Sequence, residues 1–112
     1  MKDIDEKELI KLKFAICLNA FIERNKELGI KANDKKSFIN GLRKLEAASG
    51  VSFPIIQLAS VANRDIQLTT TMRLIENLGI QSEEFFKMYD NLSEKEIRIG
   101  KERIQARKRN AK

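Results

Sequence analysis

Apolar residues recur along this chain at the three-to-four-residue spacing of an amphipathic helix, and no segment alternates as a half-buried strand would. From about Asp5 to Leu28, Ile10, Phe14, Cys17, Leu18 and Phe21 share one face, which Leu9, Ile16 and Ile22 widen. So broad a stripe predicts a long first helix packed on more than one neighbour and stopped by Gly29. A polar, basic link follows, Gly29 to Lys36. Asn33 or Asp34 is then expected to cap a second helix that runs to about Ser49, with Phe38, Leu42, Leu45 and Ala48 inward. Gly50 can end it, because glycine takes a positive φ freely. Ser52 is placed to cap a third helix, Phe53 to about Ala62, with Pro54 in its first turn, where a missing N–H does no harm. Asn63-Arg64-Asp65 reads as a polar turn. A fourth helix, about Leu68 to Asn77, carries Leu68, Met72, Ile75 and Leu78 on one face, and Gly79 stops it. Ser82 is expected to cap a fifth helix that opens with Glu83-Glu84 at the positive end of its dipole and is anchored by Phe85, Phe86 and Tyr89. Ser93 with Glu96 three residues on is a capping-box pattern opening a sixth helix from about Glu94. Its stripe, Ile97 and Ile104 around Gly100, is thin, so this helix is expected to fray without a partner. The chain therefore reads as all-α.

The spacing within Gly50 to Phe86 resembles the lambda-repressor-like helix-turn-helix family of Cro/repressor or XRE type. The family's glycine-apolar-serine turn falls on Gly50-Val51-Ser52, and its buried recognition-helix position on Ile56. Its closing signature falls on Leu78-Gly79-Ile80 and Glu83-Glu84-Phe85-Phe86, and its core leucine before the glycine on Leu45. The match covers about a third of the chain. The chain departs from the pattern at Glu46, where the family has a small residue, and at Leu42, where it often has a phosphate-touching glutamine. It departs again at Ser60, at Ala62 in place of a helix-ending glycine, at Ile66 in place of a proline, and by an insertion around Lys31 to Phe38. The resemblance implies a five-helix DNA-binding domain over residues 1–92, with a long first helix and a basic helical extension over 93–112.

Composition narrows the chemistry. A chain of 112 residues suits one domain and needs no disulfide or metal to fold. Cys17 is the only cysteine and histidine is absent. A finger-type zinc site and a nucleophile paired with histidine are thereby excluded, and no cofactor, metal or catalytic residue is expected. No glycine-rich phosphate loop is present, so an enzyme is disfavoured. No apolar run approaches the about twenty residues that cross a bilayer, and the charged start MKDIDEKE does not read as a secretory signal. No membrane association and a cytoplasmic location are expected.

Charge is unevenly placed. The net charge is +6, and the whole excess falls in residues 97–112, which hold seven basic side chains against Glu102 alone. A basic segment beside a helix-turn-helix candidate points to phosphates, since each neutralised phosphate releases counterions. The third helix itself, Ser52 to Asn63, holds no charged residue, so the commonest specific contact, arginine or lysine to guanine, is not available from it. The resemblance leaves Ser52 and Phe53 at its start, then Gln57, Ser60 and Asn63, as residues facing double-stranded DNA. Phe53 suits a thymine methyl and Gln57 an adenine. Arg64, Gln67 and Thr69 match phosphate-gripping places, with Arg107, Lys108 and Arg109 added from the basic segment. The resulting expectation is a prokaryotic or phage-type transcriptional regulator, bound as a homodimer. The competing one is a protein-interaction or oligomerisation module on the same scaffold, for which a neutral third helix and a long first helix are suited.

Overall fold

Asp5 sets where the first helix begins: its carboxylate accepts the Glu8 N–H at 2.9 Å, satisfying a donor the helix cannot pair internally. From there the computed structural model, which describes residues 5–110, runs through α1 (Glu6–Lys31), α2 (Leu42–Ser49), α3 (Phe53–Ser60), α4 (Leu68–Asn77), α5 (Ser82–Asp90) and α6 (Glu94–Asn110). A single 3-10 turn, Lys35–Ser37, lies between α1 and α2, and there is no strand among the described residues. The protein is all-α, a long helix with five shorter ones gathered on it. No helix among the described residues is long and apolar enough to cross a membrane.

α1 does not stop at Gly29 but continues to Lys31. Gly29 is buried in the last turn, where a Cβ would stand 3.3 Å from the Lys35 Cα and 3.4 Å from the Phe38 ring. The missing side chain is what lets the following link fold back against the helix. That link also delays α2, which begins at Leu42 rather than near Asp34. Asp34 makes no capping bond. The link is held instead by side chains from elsewhere. Buried Asn25 donates from Nδ2 to the carbonyls of Ile39 and Leu78, each at 3.0 Å, and Lys44 donates from Nζ to those of Lys35 (2.6 Å) and Phe38 (3.2 Å).

The principal core gathers Phe14, Cys17, Leu18 and Phe21 of α1 with Leu45, Val51, Ile56, Leu74, Ile75, Leu78 and Phe85. Phe85 lies between Phe14 and Phe21, with ring centroids 5.3 and 5.7 Å away, and Phe86 and Tyr89 extend the aromatic row. Several expected inner positions face out. Ile10 is 49% exposed and Leu68 73%, and Ala48 is exposed while Leu45 and Ser49 supply the inner face of α2. Leu74 takes the inward place on α4. At α5, Gln81 holds the cap position without a side-chain bond, and Ser82 is already the first helical residue.

α6 finds its partner inside the chain. Ile97 and Ile104 pack on Leu12 and Ala15 of α1 in a second buried cluster. Gly100, between them, lets α1 come close: a Cβ there would lie 2.5 Å from Cγ1 and Cδ1 of Ile16. The capping box forms as read, the Ser93 N–H donating to Glu96 Oε1 (3.0 Å) and the Glu96 N–H to Ser93 Oγ (3.1 Å).

Candidate nucleic-acid interface

Three residues, Gly50 to Ser52, turn the chain from α2 into α3. Gly50 takes φ +74° and its N–H donates to the Glu46 carbonyl at 2.9 Å, closing α2. Val51 and, one turn on, Ile56 are buried beneath the bend. Ser52 occupies the cap position of α3 with extended backbone, but its hydroxyl makes no capping bond. Glu46 does that work from α2: its Oε2 accepts the Phe53 N–H at 3.1 Å. A carboxylate therefore already occupies the positive end of α3, the place where a phosphate would otherwise be welcomed.

Ile56, Ala59 and Ser60 form the inner face of α3, and Ser52, Pro54 and Gln57 are exposed. Ser60 does not join the outward group. It is fully buried, its hydroxyl donates to the Gln57 carbonyl at 2.7 Å, and its carbonyl accepts from Asn19 Nδ2 at 2.9 Å. Four residues after buried Ile56, it falls on the core side of the helix, so base contact is not open to it. Phe53 is half-buried, and the Arg43 guanidinium lies 3.6 Å from its ring centroid. Asn63, Arg64, Gln67 and Thr69 are all exposed along the link and first turn of α4. Arg107 and Arg109 are exposed and Lys108 is half-buried on α6.

The cations missing from α3 stand at its two ends. At the start is Arg43, its side chain 74% exposed, stacked on Phe53 and 3.4 Å from Glu46 Oε1. At the other end, Arg64 follows the helix in the chain, and Arg107 reaches the same region from α6, donating from Nη1 to Asn19 Oδ1 at 2.9 Å. Asn19 is the residue that bonds the Ser60 carbonyl. Arg43 escaped the sequence reading because that reading placed Leu42 at the phosphate-touching position. Leu42 is half-buried and packed on the core, and the next residue is the one that points outward. Its spacing of three from Glu46 was the available signal.

Burial raises the Tyr89 phenol above its ordinary value, and two further groups titrate away from theirs. Burial pushes the Cys17 thiol up to about 12, so it stays protonated in the core and is inert as a nucleophile. The Ser93 backbone N–H, then its hydroxyl, hold the Glu96 carboxyl below the usual carboxylate value. None of the three lies on the face formed by Ser52, Pro54 and Gln57.

The fold and site together define an all-α six-helix domain in which a glycine-turned helix presents a neutral outer face between cations. No protein-family model matches the chain, and neither a curated protein nor a solved structure matches it.

Proposed function

We propose that this protein binds double-stranded DNA as a transcriptional regulator of the helix-turn-helix kind, with α3 in the major groove. The observation that carries the reading is the exposed face of Ser52, Pro54 and Gln57 on a helix entered through a positive-φ glycine and flanked by Arg43, Arg64 and Arg107. Two short helices joined by a tight glycine-bearing turn are the general form of such readers. In this arrangement the Gln57 amide pairs with adenine, while Arg43, Arg64, Gln67, Thr69 and the cations of α6 hold phosphates. Affinity comes from the flanking cations and discrimination from few contacts, so the preferred sites are A·T-leaning. A homodimer, with half-sites about one helical turn apart, supplies the specificity that one such helix lacks.

Gel-shift titration against genomic fragments over a salt series tests this. Gln57→Ala is expected to lower discrimination at one base position by about 1–3 kcal/mol. Arg64→Gln is expected to weaken all sequences alike and flatten the salt slope by about 1. Absence of duplex binding at low salt overturns the reading.

The position of Glu46 favours a second reading, a protein-binding module. A carboxylate fixed at the start of α3 repels a phosphate, and Leu68, 73% exposed at the start of α4, is an apolar contact left open. Loss of all nucleic-acid affinity with retained self-association would establish it.

A further inference from the structure

Asn19 joins three helices with one side chain. From α1 its Nδ2 donates to the Ala15 carbonyl (2.8 Å) and to the Ser60 carbonyl of α3 (2.9 Å), and its Oδ1 accepts from Arg107 Nη1 of α6 (2.9 Å). The amide is half-buried, and both its donor hydrogens and its acceptor oxygen are engaged. The Ser60 carbonyl is one of those in the last turn of α3, which lacks an intrahelical partner. The Arg107 side chain is thus held, through one amide, beside the C-terminal end of the very helix whose own sequence carries no charge.

The surrounding packing makes this a fixed arrangement. Val61 and Ala62, just past α3, pack on the same cluster that receives Ile97 and Ile104 of α6. Gly100 lets α6 lie close on Ile16, one turn before Asn19. Arg107 uses one guanidinium nitrogen on Asn19 and remains exposed, so its other donors stay available to an anion. Lys108 and Arg109 follow on the same turn.

We infer that Asn19 is a positioning residue that clasps the basic end of α6 to the C-terminal end of α3, so that Arg107 and Arg109 form a preorganised phosphate-binding edge beside that helix end. The partner is a polyanionic backbone, and the inference rests on the DNA reading above. Without the clasp the same cations are present, but α6's last turn must be ordered when the backbone binds, which weakens binding without removing charge.

A double-mutant cycle on the full chain tests it, with a 20-base-pair duplex as probe and the salt dependence of binding recorded for each protein. Arg107→Ala is expected to weaken binding three- to tenfold and flatten the salt slope by about 1. Asn19→Ala is expected to weaken binding by a similar factor with the slope retained, and to add little in the Arg107→Ala background. Hydrogen exchange of the free protein is expected to speed up over the last turn of α6 in Asn19→Ala while the core of α1 stays protected. A purely structural role for Asn19 would make the two substitutions additive in binding. Additive effects, or unchanged binding by Asn19→Ala, overturn the inference while leaving the DNA reading intact. Failure of the unmodified protein to bind the duplex overturns both.

Discussion

Ala62 occupies a backbone position that suits another residue. It follows α3 with φ +59°, and the Asn63 N–H reaches back to the Leu58 carbonyl at 2.9 Å in the helix-ending pattern that favours glycine. A Cβ in the left-handed region costs about 1–2 kcal/mol. The strain persists because the Ala62 methyl packs beside the α1–α6 cluster, which returns part of that energy. Ala62→Gly is therefore expected to stabilise the protein by about 0.5–1 kcal/mol, read as a higher urea midpoint at unchanged slope. This position was legible beforehand, since the family resemblance places a glycine there. Nothing local marked Asn19 or Asn25, and Glu46 stood out only as a departure from a small residue, without the capping role it takes. Each is a polar residue whose role depends on a carbonyl or an N–H brought to it by folding, and no local pattern encodes that meeting.

Among the elements, the capping box of α6 was legible in full, because Ser93 and Glu96 satisfy each other's backbone groups within four residues. Ser93→Ala is expected to destabilise by about 1 kcal/mol, measured by thermal unfolding. The Glu96 carboxyl is held below its ordinary value in the fold, so the unfolded chain binds the proton more readily. Its stabilising contribution is present above the ordinary carboxylate value of 4.5 and lost as pH falls through the lowered one. Glu96→Gln should remove that part of the acid destabilisation, visible as a flatter dependence of the unfolding temperature on pH below about 4.5. The bounds of α4, Leu68–Asn77, were equally legible from a polar link and Gly79, but its inward face was not, since Leu74 is buried and Leu68 exposed. α2 was not. Lys35 to Asn40 has the composition of a helix start, but Asn25 and Lys44 take the carbonyls of Lys35, Phe38 and Ile39 and hold that stretch outside the helix.

For the molecule as a whole, the decisive fact is that the basic C-terminal segment is a docked helix. Ile97 and Ile104 are nearly as buried as the principal core, at 6% and 5% exposure. Truncation after Glu96 removes both and bares Leu12 and Ala15. Two buried isoleucines correspond to about 3–6 kcal/mol, an upper bound. The truncated chain is expected to melt well below the full one, followed by circular dichroism. Neutralising Lys108 and Arg109 to glutamine keeps the apolar stripe and the Asn19–Arg107 bond and isolates charge, and is the variant for the salt series. Arg107 continues the stripe of Ile97, Gly100 and Ile104 and bonds Asn19 of α1, so only a substitution that spares it separates charge from packing.

Helical periodicity, the glycine stops and the Ser93 cap depend on residues within a turn or two of one another, so the sequence alone determined an all-α chain, most helix positions and the neutral character of α3. The tertiary structure decided what lies far apart in the chain. It buried Ser60, set Arg43 over Phe53, gave the start of α3 to Glu46, and joined α6 to α1 and α3 through Asn19. The thin stripe of Ile97 and Ile104 had no visible counterpart in sequence because its partners, Leu12 and Ala15, lie more than 80 residues earlier and only the fold brings the two surfaces together.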